Sequence, residues 1–188
     1  MSHAWLDHPY DQTFMGVVIK QTWCDLVLWE HLFQQEKLTT VIELGTCYGG
    51  MSLFLLGQCL QRDIAFWTLD NDHEVTRSPV AEMLGLVSRC VRIDIFAEGT
   101  PWLEQHLGNP GLRPILLFCD NGNKPREVQT FTPLLQPGDI LAVHDWPRVD
   151  GPADIHPADM VPVLGLLKPL LEKECEAMSS ITRFWRRV

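Results

Sequence analysis

Apolar runs that end at an acidic or histidine residue recur along this chain, and they set what it can fold into. "TTVIEL" carries Glu43, "IAFWTLD" ends at Asp70, "SRCVRID" at Asp94 and "RPILLFCD" at Asp120. A fifth run, "PGDILAVHDW", leads into His144 and Asp145. Helical patterning lies between them, over about 50–61, more weakly near 80–84, at 100–107 and at 125–135. An opening helix is expected over 22–35, with Trp23, Leu26, Val27, Trp29 and Phe33 along it. Short, near-continuous apolar strands alternating with helices specify an α/β fold, a mostly parallel sheet covered by helices on both faces. In such Rossmann-like, doubly wound sheets the ligand binds outside the carboxyl ends of the strands. The polar residues of this chain gather at those ends. Residues 162–176 read as a late helix interrupted at Pro169, and "SSITRFWRRV" as a last strand. With a single late strand, the sheet is expected to be shortened at its C-terminal side, or completed by a second subunit in a homodimer or larger homo-oligomer.

The 188 residues suit one domain, 1–188, in which 1–36 form an arm and helix ahead of the first strand. A hydrophobic content of 46% with 21% charged residues is that of a soluble globular chain. The net charge of −9 argues against nucleic acid or an anionic membrane as partner. No apolar stretch approaches the length of a membrane span, and the polar start "MSHAWLDHPYDQ" carries no secretory signal. The six cysteines form no CxxC pair, so they read as reduced, mostly buried thiols in a cytoplasmic protein.

The first strand runs into "GTCYGGMS", a glycine turn for which three ligands compete. A phosphate loop needs a lysine where this chain has Met51. A dinucleotide fingerprint needs a second glycine where it has Cys47, and that glycine is what lets backbone approach a pyrophosphate. S-adenosylmethionine carries no phosphate. It asks for an acidic residue near its charged amino-acid portion, a tight turn beneath it and an acid at the end of the second strand for its ribose. Glu43, then Gly45, Thr46 and Gly49, then Asp70 with Asn71 beside it supply that set. An NAD-dependent oxidoreductase and a non-catalytic cofactor-binding or assembly protein are the rival readings.

"ELGTCYGGMS" and "LDND" resemble the first two motifs of class I S-adenosylmethionine-dependent methyltransferases. "FMGVVIKQTWCDLVLWEHLF", "VIELGTCYGGMSLF" and "LLFCDNGNKPREVQTFTPLLQPGDILAVHDW" resemble, in order and spacing, the cephalosporin hydroxylase and rhamnosyl O-methyltransferase group. The resemblance covers most of 14–146. It implies methylation of a hydroxyl on a small-molecule acceptor, such as a sugar or secondary metabolite, and contact of Asp94 with the adenine. It also implies a divalent cation, magnesium, manganese or similar, held by Asp120, His144 and Asp145, with Asp120 bordering the cofactor as well. This chain departs from the family at His144, where relatives carry a carboxylate. His144 is then either a ligand suited to a softer metal or a metal-free general base.

Lys124 stands one position beyond the lysine of catechol-type relatives, and Asn123 is expected to hold its loop or orient a substrate. Trp146 either walls the acceptor pocket or belongs to the core. His73 is a candidate edge of the adenosine pocket. His31 and His106 are expected to be ordinary helix residues, and His3 and His8 to lie near the terminus.

Overall fold

Seven strands form one sheet in the computed structural model, which describes residues 12–71, 82, 85–148 and 153–188. A short antiparallel hairpin, β1 (Gln12–Phe14) and β2 (Val17–Ile19), precedes helix α1 (Trp23–Gln35). There follow β3 (Thr40–Leu44), α2 (Gly50–Arg62), β4 (Ala65–Asp70), β5 (Cys90–Arg92) and α3 (Gly99–Leu107). Next come β6 (Ile115–Cys119), α4 (Lys124–Phe131), β7 (Ile140–Val143) and the one-turn α5 (Pro157–Met160). The chain ends with β8 (Leu167–Leu170), α6 (Glu172–Ala177) and β9 (Arg183–Arg187). The strand order is β5-β4-β3-β6-β7-β9-β8, and β9 alone runs against the others. This is the expected doubly wound α/β sheet. The helix expected near 80–84 falls, apart from Glu82, outside the described residues.

The expected shortening is not found. Residues 167–170, read in the sequence as part of a helix, form β8 at the edge of the sheet and pair with β9. Pro169 explains the difference. It would break a helix interior, whereas an edge strand tolerates a residue without an N–H. The second late strand comes from the chain itself, so sheet completion gives no reason for a second subunit. No helix among the described residues is long and apolar enough to cross a membrane. All six cysteines are free, and only Cys47 is exposed.

Alternation along the strands divides the core in two. Val41, Phe66, Phe118 and Phe184 face α1 and α2, while Ile42, Leu44, Leu117 and Trp185 face the layer of α3, α4 and α5. Trp29 of α1 anchors the first layer, with its ring edge-on to Phe118 at 4.8 Å and to Phe184 at 5.0 Å. Thr22 and Asp25 cap α1 reciprocally, as a capping box does. Asp25 also reaches across the sheet: its Oδ1 accepts from the Ser180 hydroxyl and from the amides of Ile181 and Thr182 at the entry to β9. One fully buried carboxylate thus joins the first helix to the last strand.

Replacing Asp25 by Ala leaves the buried Ile181 and Thr22 amides without this acceptor, at about 1–3 kcal/mol each. Asp25→Ala is expected to lower stability in urea by about 3 kcal/mol or more. A change below about 0.5 kcal/mol would show that the carboxylate is not what holds α1 to β9.

Candidate functional site

Strand register places the polar residues on one rim. Leu44 lies level with Leu69 and Cys119, and Cys119 level with Val143. The ladder continues one step further. Gly45 N–H donates to Leu69 O at 2.8 Å, Asp120 N–H to Leu44 O at 2.9 Å, and His144 N–H to Cys119 O at 3.1 Å. Gly45, Asp70, Asp120 and His144 therefore line one cavity of about 450 Å³, within the usual range for a small-molecule site.

The glycine turn forms one wall. Gly49 N–H closes onto Thr46 O at 2.8 Å, with Cys47 at φ 48° and Gly49 at φ 86°. Asp70 holds the turn from below, its Oδ2 accepting from Thr46 N and Cys47 N, both at 2.9 Å. The Thr46 hydroxyl is buried against that of Thr68 at 2.6 Å, so its backbone faces the cavity and its side chain does not. Two glycines answer to the protein itself. A Cβ on Gly45, at φ 100°, would collide with the Asp120 carbonyl, and one on Gly50 with the Val18 carbonyl of the hairpin.

Glu43 requires a correction. It was expected beside the charged amino-acid portion of the cofactor, but it is wholly buried, hydrogen-bonded to the Ser52 hydroxyl of α2, and does not line the cavity. Burial pushes its carboxyl up to about 8, with Asp120 and Asp70 adding to the effect. Burial favours its neutral form, and the side chain does not face the cavity.

Asn71 and Asp94 line a second depression of about 440 Å³ with Arg92 and Glu98. It begins where the first ends, since Ile93 N–H donates to Asp70 O at 2.9 Å. Asp94 caps its own turn there, its Oδ1 accepting from Phe96 N at 2.8 Å. His73 lies outside the described residues.

The opposite wall is a charge cluster. His144 Nδ1 lies 3.0 Å from Asp120 Oδ1 and 3.2 Å from Asp145 Oδ1. Lys124 Nζ lies 2.7 Å from Asp145 Oδ2, 3.5 Å from Asp120 Oδ1 and 3.4 Å from Asp154 Oδ2. Gln21 Nε2 donates to Asp120 Oδ2 at 2.9 Å. Every carboxylate oxygen of Asp120 and Asp145 is therefore engaged. Burial alone would lower the His144 pKa, but Asp120 and Asp145 outweigh it and raise it to about 10. Held between two carboxylates, the imidazole is favoured in its protonated form in this arrangement. Burial works against Lys124 in the same way, and the carboxylates hold its pKa above the ordinary lysine value. Asp145 sits at φ 58°, a left-handed conformation of the kind that gathers at functional sites.

No family model matches this chain, and no curated protein matches its sequence. Solved structures do. CmcI in its D160 form with Mg and SAM superposes at a TM-score of 0.66, with 18% identity over 94% of this chain and 76% of that one. CalS11, a TDP-rhamnose 3'-O-methyltransferase of calicheamicin biosynthesis, superposes at 0.58, with 18% identity over 86% and 78%. The O-methyltransferase TomG from Streptomyces achromogenes, in complex with SAM, superposes at 0.51, with 16% identity over 88% and 79%. The chain has the class I methyltransferase fold.

Within the methyltransferase fold, the expected trio Asp120, His144 and Asp145 converges, with ligand atoms within 4.8 Å of one another. Lys124, set aside in the sequence for standing one position late, is at the centre of the cluster. Asn123 caps α4, its side chain accepting from Arg126 N, which is a loop-holding role. Trp146 packs against Trp185 at 5.3 Å and lines a separate cavity, so it does not wall the main one. His106 stacks on Trp102 and His31 faces Gln35, as ordinary helix residues. Gln21 and Asp154 were not foreseen. They reach the site from the link after the hairpin and from the loop after β7, segments with no periodicity to flag them.

The buried carboxyl yields a pH test. Between pH 4.5 and about 8 the unfolded chain ionises at Glu43 while the folded chain keeps its proton. Stability is therefore lost as pH rises through that window. Glu43→Gln removes this dependence and keeps an acceptor for Ser52. Urea unfolding should find Glu43→Gln more stable than wild type by on the order of 3 kcal/mol at neutral pH, with the difference vanishing near the ordinary carboxyl pKa. Parallel pH profiles for the two proteins would mean that Glu43 is ionised when folded.

Proposed function

We propose that the chain is an S-adenosylmethionine-dependent O-methyltransferase acting on a hydroxyl of a small acceptor, such as a sugar or secondary metabolite. The observation that carries this reading is the shared cavity, with the glycine turn on one wall and the charge cluster on the other. A donor on the turn and an acceptor at the cluster would meet without leaving it, and alignment is most of what methyl transfer requires of a protein.

The lining also favours the donor. Asp70, Asp120, Asp145 and Asp154 line the cavity, against Lys20, Lys124 and His144. A cofactor with a sulfonium and an ammonium suits such a wall, and a pyrophosphate does not, which weighs against the NAD-dependent reading. When bound, S-adenosylmethionine would supply its methyl group to the acceptor oxygen, the thioether leaving with the C–S electron pair. The residues of this chain supply the rest. Asp70 keeps the turn in place, the Thr46–Gly49 backbone cradles the donor, and Asp154, the most exposed carboxylate at the cluster, would pass the hydroxyl proton to solvent. CmcI with Mg and SAM, and TomG with SAM, support the same assignment by analogy of fold.

A divalent ion would take Asp120, His144 and Asp145 as ligands and would lower the pKa of a coordinated hydroxyl. The residues as arranged do not fit it. The carboxylate oxygens already have donors, and His144 Nδ1 must carry a hydrogen to sit between two of them. Its Nε2 is buried with no partner among the described residues.

Calorimetry with S-adenosylhomocysteine tests the reading. Wild type should bind it, and Asp70→Ala, which frees the Thr46 and Cys47 amides, should bind about tenfold or more weakly. Asp145→Ala should bind as wild type does and lose transfer of labelled methyl to a panel of small hydroxyl acceptors. No binding by wild type would overturn the assignment. Binding without transfer to any acceptor would favour a non-catalytic cofactor-binding protein.

A further inference from the structure

We propose that the Lys124 ammonium is the resident cation of this site, seated between Asp120 and Asp145 where a divalent ion would otherwise have to go, so that the protein works without a metal. The inference rests on the methyltransferase reading only for its activity arm. The geometry stands by itself.

The Lys124 side chain is 4% exposed, and Nζ lies 2.7 Å from Asp145 Oδ2, 3.5 Å from Asp120 Oδ1 and 3.4 Å from Asp154 Oδ2, and donates to the Asn121 carbonyl at 3.1 Å. Three carboxylates and a carbonyl around one buried cation are the kind of oxygen shell that a hard divalent ion would also seek. The ammonium fills it with a tethered charge. The third donor of the expected trio is not free to ligate either. His144 Nδ1 faces Asp120 Oδ1 at 3.0 Å and Asp145 Oδ1 at 3.2 Å, a placement that requires a hydrogen on that nitrogen, so no lone pair points at the cluster. A carboxylate at that position would add an oxygen ligand, whereas histidine adds a donor. Histidine at 144 and lysine at 124 act in the same direction: both supply hydrogen-bond donors to Asp120 and Asp145.

Lys124 is then a positioning residue. It acts through the two carboxylates, holding them at fixed separation beside the acceptor end of the cavity. The charge is supplied by the chain, so it does not depend on metal concentration, and it is lost only with the side chain.

Manganese binding to the full chain at neutral pH, read by electron paramagnetic resonance, tests this directly, with chelation of the assayed protein as a second readout. Wild type is expected to bind Mn²⁺ no more tightly than about millimolar and to keep its methyl transfer in EDTA. Lys124→Met, similar in length but uncharged, should bind Mn²⁺ at least tenfold more tightly. Lys124→Arg should behave as wild type. Micromolar Mn²⁺ binding by wild type, or transfer lost in EDTA and restored by Mn²⁺ or Mg²⁺, would overturn the proposal. So would a Lys124→Met protein that binds S-adenosylhomocysteine normally but gains no affinity for Mn²⁺. Should wild type bind no S-adenosylhomocysteine, the methyltransferase reading fails while the manganese comparison still decides the cation.

Discussion

The register between β3 and its two parallel neighbours is the constraint on which the site depends. Leu44 stands level with both Leu69 and Cys119, so the residues that follow leave the sheet at one height. Gly45 then passes so close to the Asp120 backbone that no side chain fits between them. This contact brings the glycine turn and the charge cluster into one cavity. A one-residue slip would turn each polar side chain to the opposite face. The strands Thr40–Leu44 and Ile115–Cys119, buried on both faces, make such a slip costly. Site and core are therefore specified by the same hydrogen-bond ladder.

Burial and charge oppose each other throughout the rim, and geometry decides which wins. Glu43 has no cation within reach, and burial drives it to the neutral form. Asp145 is also largely shielded, yet His144 and Lys124 hold it well below the usual carboxylate range. Glu127 lies between the two cases. Burial raises it to about 7, although Lys124 and the Asn121 and Asn123 amides pull the other way. The acidic residues of the rim, equivalent when read as letters, thus differ: Glu43 and Glu127 are buried supports, whereas Asp120 and Asp145 pair with His144 and Lys124 and face the cavity.

That division also marks what the sequence could reveal. The parallel strands were legible because runs such as "ILLFC" leave no alternative to a doubly buried strand, and the rim followed from where those runs stop. Glu43 was misplaced because strand pleat assigns it to the face of Val41, under α2, one residue before the chain turns into the cavity. β8 was hidden because Leu166, Leu167, Leu170 and Leu171 fit helical spacing, and only Pro169 argued otherwise. The β1–β2 hairpin has too few residues to show alternation, yet the link after it delivers Gln21 to Asp120. Lys124 was the hardest to read. Asp120 precedes it by only four residues, but Asp145 and Asp154 belong to the loop after β7, and they meet Lys124 only in the folded chain.

The position of Lys124 on its own helix makes the same point energetically. It is the first residue of α4, with Pro125 next and Asn123 as the cap. A helix N-terminus carries partial positive charge, which disfavours a cation there by typically 0.3–1 kcal/mol. Burial disfavours it further. Helix formation would be better served by an acid or a serine, so local structure does not account for a lysine at this place. What offsets both terms is the set of carboxylates around Nζ. The dependence is mutual, because Asp120 and Asp145 would repel one another at this separation without a cation between them. A lysine set against its own helix dipole, and two acids set against each other, form a stable arrangement only together. That is the behaviour expected of a cation site whose ion is part of the chain.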